Sequence, residues 1–189
     1  MLVKLLRTIH SGWHLLVSQL RLLPLRCLGL KAPFSVRVGR GIEWPLGNLR
    51  NIELGENVSL GARGWFYLPL NNRASRIRIG AGSSIGNDFV ISANNSIEIG
   101  RNCGIGFRVA ILDHDHVTGK GINPATSGIT KGEPIVIGDD TFVGTGSVIL
   151  RGVTIGKNCV INSNSLVTLR AVEDGSMVSG PQARAMMKV

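Results

Sequence analysis

Apolar residues recur at every sixth position over most of the chain, with polar and small residues between them. The signature apolar-x-apolar-Gly occurs at 52–55, 77–80, 97–100, 135–138 and 153–156. An unbroken six-residue series follows the fourth signature: Ile137, Val143, Ile149, Ile155, Ile161 and Val167. A period of six matches neither the 3.6-residue helix nor a simple two-residue alternation. It predicts an all-β prism of short parallel strands whose coils stack about 4.8 Å apart.

Three interruptions of this period mark sites where the chain leaves the regular coil. Ile79 follows Leu54 by 25 residues, seven more than three six-residue repeats. Ile99 follows Ile91 by eight residues, so the stretch SANNSIE (92–98) contains two extra residues. The next apolar residue of the repeat is expected at position 117 but occurs at Ile137, so twenty residues are inserted. This insertion is rich in Gly, Ser, Thr and Pro, which predicts one long excursion loop at 117–134. Long loops on a rigid scaffold tend to carry function.

The cysteines favour a reducing compartment, and the distribution of charge limits the partners of the chain. Its three cysteines form no CxxC pair, which indicates neither a disulfide framework nor a zinc knuckle. Cys103 and Cys159 occupy the small-residue slot four positions after an apolar beat, so we expect both to be buried. The net charge of +9 arises mainly in residues 1–42, which contain seven basic and no acidic residues. The rest of the chain is therefore not predicted to bind nucleic acid. The scattered cysteines predict a cytoplasmic protein.

The first 33 residues predict a basic amphipathic helix. Apolar residues recur there at spacings of three and four, and Pro24 should end or kink the helix. The longest uncharged run, 8–20, is too short to span a bilayer. Two roles stay open: packing on the domain or an oligomer, and peripheral contact with an anionic membrane surface on the cytoplasmic face of the inner membrane.

The stretch ILDHDH (111–116) carries the candidate chemistry, directly before the long loop. His114 and His116 are the only histidines outside the N-terminal helix. Three interpretations compete: a solvated polar corner, a metal site, and a general base. Two histidines are fewer than a three-histidine metal site needs, so no metal is expected. A histidine titrates near neutrality and can accept a proton from an attacking hydroxyl.

Over residues 50–185 these features resemble the hexapeptide-repeat acyltransferases, whose fold is a left-handed parallel β-helix. The resemblance includes maltose/galactoside-type and polysaccharide or lipopolysaccharide O-acetyltransferases. It implies that His116, five residues after Ile111, is the general base, with Asp113 as its orienting carboxylate and His114 as a second candidate. Asn94, in the two-residue insertion, is the candidate substrate-binding residue.

The resemblance also implies acetyl-CoA as co-substrate, bound between the prisms of a homotrimer. Phe142 stands where relatives carry an aromatic residue, and Thr145 and Ser163 match corner positions that meet the pantetheine arm. The Thr145 amide is a candidate oxyanion donor. Arg184 takes the position of a lysine near the coenzyme, although the surrounding Gly-Pro-Gln-Ala-Arg departs from the family motif.

These observations predict three segments: a basic helical segment at 1–33, a left-handed β-helix acyltransferase domain at 34–170, and a C-terminal tail at 171–189. The expected function is acetyl transfer from acetyl-CoA to a sugar hydroxyl in bacterial surface-polysaccharide or lipopolysaccharide biosynthesis, with an acceptor that is a sugar or lipid-linked glycan. The alternative is a non-catalytic β-helix scaffold that docks partners at the membrane surface.

Overall fold

The computed structural model of the chain describes residues 2–180, with side chains from residue 12 onward. It begins with helix α1 (Leu2–Cys27), and a short 3-10 helix spans Leu46–Asn51. The rest of the described chain forms eighteen short strands in three parallel sheets that make the faces of a prism. The predicted all-β prism of hexapeptide coils is confirmed.

The chain visits the three sheets in turn, one strand on each face per coil. Sheet 1 contains β2 (Ile52–Leu54), β5 (Arg76–Ile79), β8 (Ser96–Ile99), β11 (Ile135–Ile137), β14 (Thr154–Ile155) and β17 (Ala171–Val172). Sheet 2 contains β1 (Arg37–Val38), β3 (Ser59–Leu60), β6 (Ser84–Ile85), β9 (Gly104–Ile105), β12 (Phe142–Val143), β15 (Val160–Ile161) and β18 (Met177–Val178). Sheet 3 contains β4 (Trp65–Tyr67), β7 (Val90–Ser92), β10 (Ala110–Leu112), β13 (Val148–Leu150) and β16 (Leu166–Val167). The coils thus extend past residue 170, through β17 and β18.

The register of the strands reproduces the six-residue beat of the sequence. Ile111 pairs with Ile91 on one side and with Ile149 on the other, both in parallel. These three side chains are at most 1% exposed and belong to a single core that fills the prism. Burying a side chain of this size contributes roughly 1.5–3 kcal/mol, so stacking the beat residues is the main favourable term in this fold.

The corners of the prism depend on residues that tolerate a left-handed backbone. The third residue after the beat has a positive φ, as at Asn102 (53°), Asn158 (53°) and Gly82 (74°). Asn, Asp and Gly adopt this conformation at low cost. A different constraint acts directly after the beat: a Cβ on Gly80 would lie 2.6 Å from the carbonyl carbon of Gly100 in the next coil. Stacked coils leave no room for a side chain there.

Helix α1 covers the first coil through one face. Leu22 is fully buried, and the Ser18 hydroxyl accepts a hydrogen bond of 2.9 Å from the Val38 amide. Of the two predicted outcomes for Pro24, an end or a kink of the helix, the end is wrong, because α1 continues to Cys27. A proline removes only its own N–H donor, and the helix ends instead before Gly29, whose φ is +109°. Within residues 2–180, no helix is both long and apolar enough to cross a membrane.

Candidate functional site

The Asp-His-Asp-His stretch lies at the corner where sheet 3 ends and the excursion loop departs. The two ends of the loop run antiparallel and are held by main-chain hydrogen bonds. The Val117 amide donates to the Gly128 carbonyl (3.0 Å), the Thr130 amide to Asp115 (2.7 Å), and the Glu133 amide to Asp113 (2.8 Å). These hydrogen bonds hold the two ends of the loop together where it leaves the prism.

Asp113 is the polar centre of this corner. Its side chain has no exposed surface, and its two carboxylate oxygens accept hydrogen bonds of 2.7 Å from the main-chain amides of Asn94 and Asn95. Oδ1 also lies 2.8 Å from Nδ1 of His114. A buried carboxylate is costly unless its oxygens are satisfied. Here two fixed dipoles and one imidazole satisfy them.

The two amides belong to the two-residue insertion in SANNSIE, which lies in the coil before Asp113. The insertion also binds the loop, because Asn94 Nδ2 donates to the Thr130 carbonyl at 2.8 Å and Asn95 Nδ2 donates to Gly132 at 3.0 Å. Asn94, predicted to bind substrate, thus holds both Asp113 and the loop. Asn95 was not singled out from the sequence, although it lies in the same insertion.

The two histidines of the stretch have different surroundings. The His114 side chain is 9% exposed, its Nδ1 faces Asp113, and its Nε2 lies 3.4 Å from the Ser92 hydroxyl. His116 is exposed; its main chain bridges to Ile129, and its side chain makes no hydrogen bond to any described residue. The carboxylate expected to orient His116 therefore contacts His114 instead.

The Asp113–His114–Ser92 arrangement can orient an imidazole for proton transfer. A carboxylate at Nδ1 fixes the tautomer whose Nε2 is free to accept a proton, and it compensates the charge of the imidazolium that forms. The Ser92 hydroxyl shows that Nε2 can face an O–H group. Ser92 was not predicted from the sequence, because it is an ordinary strand residue before the insertion.

A cavity of about 370 Å³ lies next to the Asp113–His114 pair: Asn94, which binds Asp113, belongs to its lining, whereas His114 does not. Its lining is mostly amide and hydroxyl side chains together with one aromatic ring: Tyr67, Pro69, Asn71, Asn72, Asn94, Ser127, Gly128 and Ile129. The Tyr67 ring lies 6.1 Å from the His114 ring. Asn72 Nδ2 donates to both oxygens of Asn94, at 2.5 Å to its main-chain carbonyl and 3.0 Å to Oδ1. Uncharged donors and acceptors beside an aromatic face suit a polyhydroxylated ligand.

The predicted cofactor residues lie at another corner of the prism, between sheets 2 and 3. Phe142, on β12, is 49% exposed on the outer face of sheet 2. Thr145 and Ser163 are exposed and lie at equivalent positions of successive coils. These coils pack closely, since a Cβ on Gly144 would lie 2.4 Å from the Ser163 amide nitrogen. Neither the Thr145 nor the Ser163 amide donates a hydrogen bond to a described residue. Arg184 lies outside the described residues.

One chain does not bring the two corners together. Thr145 precedes β13, whereas His114 follows the neighbouring strand β10, so the width of sheet 3 separates them. The strand between the two corners, from Ala110 to Leu112, lies on the prism face that separates them.

The potential metal ligands are dispersed or engaged elsewhere. Within residues 2–180, no group of three His, Cys, Asp or Glu side chains could hold a metal ion. Cys103 and Cys159 are 2% and 1% exposed, and desolvation by burial raises the pKa of the Cys103 thiol. A thiol with a raised pKa is a poor nucleophile, which applies to Cys103. Both cysteines pack in the core, as expected from their small-residue positions.

The repeat itself matches a known family. Residues 134–168 match the family model described as bacterial transferase hexapeptide (six repeats). Residues 134–168 of the chain thus carry the hexapeptide repeat of bacterial transferases. Its prism is accordingly the left-handed parallel β-helix that the resemblance implied.

Three relatives of this hexapeptide-repeat chain show the extent of the similarity. "Probable acetyltransferase Rv3034c" of Mycobacterium tuberculosis is 31% identical over 153 residues, which cover 80% of this chain and 49% of that protein. WbbJ of Escherichia coli K12, whose name refers to O-acetyl transfer in lipopolysaccharide biosynthesis, is 29% identical over 110 residues, covering 54% of this chain and 56% of WbbJ. The crystal structure of the hexapeptide-repeat-containing acetyltransferase VCA0836 of Vibrio cholerae, complexed with acetyl coenzyme A, is 28% identical with a TM-score of 0.56, and the alignment covers 70% of this chain and 68% of that one. The chain spans about half the length of these two sequence relatives.

Proposed function

We propose that this chain transfers an acetyl group from acetyl-CoA to a sugar hydroxyl, and that the Asp113–His114 pair supplies the general base. The buried carboxylate–imidazole contact of 2.8 Å carries the proposal, because it lies beside the polar cavity at the base of the loop. The relatives that are named acetyltransferases, and the acetyl coenzyme A in the VCA0836 structure, support the donor.

The acyl transfer needs one proton acceptor and one thioester. Nε2 of His114 accepts the proton of the acceptor hydroxyl, and the hydroxyl oxygen attacks the thioester carbonyl carbon. The C–S bond then breaks, and the imidazolium returns its proton to the departing thiolate. Asp113 stabilises the imidazolium between these events.

The cavity supports a sugar as the acceptor. Asn71 and Asn72 present uncharged amides beside the Tyr67 ring, whereas no charged side chain lines this cavity. Sugar hydroxyls both donate and accept hydrogen bonds, as amides do. The name of WbbJ supports an acceptor that belongs to lipopolysaccharide or another surface glycan, including a lipid-linked one.

A homotrimer supplies the missing half of the site in this proposal. The Thr145 and Ser163 amides, at the corner between sheets 2 and 3, lie against the pantetheine arm, and the Thr145 amide also donates to the oxyanion. A neighbouring copy presents that corner to the His114 corner, with Phe142 beside the coenzyme. Arg184 keeps its predicted role near a coenzyme phosphate.

The resemblance assigns the base to His116, whereas the contacts within one chain favour His114. Release of the coenzyme A thiol with a panel of glycan hydroxyls distinguishes the two. We expect His114→Ala to lower kcat by about 10²–10⁴-fold, the usual contribution of a general base. We expect His116→Ala to lower it by less than about tenfold, because its ring is exposed and makes no hydrogen bond with any described residue.

Two other outcomes have definite meanings. If His116→Ala abolishes turnover while His114→Ala retains it, the base is His116, and a second copy must bury and orient that ring. If no acceptor supports thiol release and both variants match the wild type, the alternative of a non-catalytic scaffold at the membrane surface replaces the enzyme. Including serine among the acceptors tests whether a sugar is required.

A further inference from the structure

Helix α1 has two apolar faces, and the prism covers only one of them. Ser18 and Leu22 face the first coil and are 2% and 0% exposed. On the other face, Trp13, Leu16 and Leu20 are 64%, 54% and 67% exposed, and Leu23 is 55% exposed. The spacings of three, four and three residues align these four side chains in one stripe along the helix. Exposed apolar stripes of this kind mark interaction surfaces.

A basic groove lies beside this stripe, between α1 and the first coils. The groove has a volume of about 580 Å³ and is lined by the three arginines Arg21, Arg37 and Arg40, with no acidic residue in its lining. Arg21 donates a hydrogen bond of 3.1 Å to the Val38 carbonyl. The guanidinium groups of Arg37 and Arg40 make no ion pair or hydrogen bond with any described residue. Three guanidinium groups without carboxylates form a site for an anion with several oxygens, such as a phosphate.

The groove continues into an apolar recess. A neighbouring cavity of about 310 Å³ shares Arg21 and Arg40 with the groove and adds the apolar side chains Leu25, Ile42 and Trp44. Arg21 lies one residue, or about 100°, around the helix from Leu20. The cationic groups therefore flank the exposed stripe, and an apolar chain attached to a bound phosphate has a hydrophobic recess beside it.

Charge distinguishes a lipid surface from a second copy of the chain as the occupant of the stripe. Residues 1–42 contain seven basic and no acidic residues, so two copies of this segment repel each other. An anionic bilayer has the complementary charge. A basic amphipathic helix lies in the bilayer interface with its apolar face about 5–10 Å deep, which places the sides of the helix at the level of the phosphates.

We propose that α1 docks the protein on an anionic lipid surface, with the stripe of Trp13, Leu16, Leu20 and Leu23 in the apolar layer and a lipid phosphate bound in the groove of Arg21, Arg37 and Arg40. The docking requires no acyl transfer, so its failure and the failure of the proposed function are separate results.

Co-sedimentation of the full chain with lipid vesicles tests the groove. We expect binding to vesicles of phosphatidylcholine mixed with phosphatidylglycerol, no binding to phosphatidylcholine alone, and weakening by salt. The double variant Arg37→Gln/Arg40→Gln should bind about tenfold or more weakly, since each basic residue near an anionic surface contributes severalfold.

The matched control removes the same charge elsewhere. Arg73 and Arg101 are exposed and their side chains form no ion pair with described residues, so Arg73→Gln/Arg101→Gln should bind nearly as the wild type. Equal weakening by both double variants would reduce the effect to net charge and overturn the phosphate groove. Equal binding to both vesicle types, or to neither, would overturn the docking.

The stripe is tested with Leu16→Ser/Leu20→Ser, which leaves the buried face intact. We expect this variant to lose vesicle binding and to keep the wild-type mass in light scattering. A changed mass would assign the stripe to a second copy and overturn the lipid surface. Titration with inorganic phosphate completes the test: if wild type binds phosphate through Arg37 and Arg40 but binds no vesicles, the groove serves a soluble ligand and the lipid proposal fails.

Discussion

The two corners that border sheet 3 present their polar groups in different ways. The corner before the sheet repeats the six-residue period, and it offers main-chain amides at Thr145 and Ser163 with exposed side chains. The corner after the sheet breaks the period three times, and it buries the carboxylate of Asp113 against two amides and an imidazole. A regular corner thus supplies only backbone, whereas insertions supply a shaped site with buried side chains.

The comparison also separates two kinds of constraint. At the regular corner, side chains are excluded because the next coil lies directly above, as at Gly144 beneath the Ser163 amide. At the interrupted corner, the constraint comes instead from hydrogen bonds that the Asn94 and Asn95 side chains donate to the loop. Substitutions at the first corner should therefore change folding, and those at the second should change chemistry.

The largest effect is expected from Asp113→Asn. This change keeps the shape but replaces one carboxylate oxygen with an amide N–H group, which opposes the amide donors and favours the wrong tautomer of His114. We expect kcat for thiol release to fall by about 10²–10⁴-fold. Asp115→Asn is the matched control, because Asp115 is exposed and paired with Arg151. Retained turnover in Asp113→Asn would remove the pair from the mechanism.

The position of this site could be predicted from the sequence, because position follows from the period. Ile111 fixes the register, and the twenty-residue interruption after it places the Asp-His-Asp-His stretch at the base of a loop. The burial of the beat residues follows for the same reason. A period of six is a strong signal, since each coil repeats it against the same neighbours.

The choice between His114 and His116 could not be predicted in the same way. The ring that faces Asp113 depends on the path of the two-residue insertion, whose amides approach from 19 and 18 residues earlier. In the sequence that insertion reads as an ordinary Asn-rich turn. The directions of its N–H groups follow from tertiary contacts with the loop, which no local pattern contains.

The second prediction compares glycines at the two corners. A Cβ on Gly144 would lie 2.4 Å from the Ser163 amide nitrogen, and one on Gly132 would lie 2.7 Å from the Asn95 amide nitrogen. We expect Gly144→Ala to lower the free energy of unfolding by about 1–3 kcal/mol, because the packed coils cannot separate without strain. Gly132→Ala should lower it less and reduce kcat more, since the loop can yield while disturbing the Asp113 site.

Thermal and denaturant unfolding measure the first quantity, and thiol release measures the second. Gly12→Ala serves as a control, because no atom lies within 4 Å of its added Cβ and alanine favours a helix. A Gly132→Ala variant with full activity would show that the base of the loop does not set the geometry of His114.

Ser92→Ala should have a smaller effect. The Ser92 hydroxyl lies 3.4 Å from Nε2 of His114, a long hydrogen bond that helps to hold the ring. We expect kcat to fall by about tenfold or less, the equivalent of one neutral hydrogen bond. Ser96→Ala is a suitable control, because Ser96 is also buried on a strand. Abolished turnover, together with acetylated wild-type protein in a mass spectrum, would instead make Ser92 a nucleophile.

The smallest effect is expected at an exposed carboxylate–cation pair beside the regular corner. Arg63 binds Asp88 through two hydrogen bonds of 2.7 and 2.9 Å, and this contact lowers the pKa of Asp88 below its ordinary value. Because the native pKa is depressed, the pair contributes stability above the ordinary value and loses it as pH falls through the native one. Arg63→Gln should raise the pKa of Asp88 toward the ordinary value of an aspartate. NMR titration of the Asp88 carboxyl carbon measures this, and stability curves of wild type and variant should converge in acid.

A large loss of stability at neutral pH would contradict the prediction, since solvent screens an exposed pair. Burial would then no longer distinguish the carboxylate of Asp113, which is 0% exposed, from that of Asp88, which is 35% exposed.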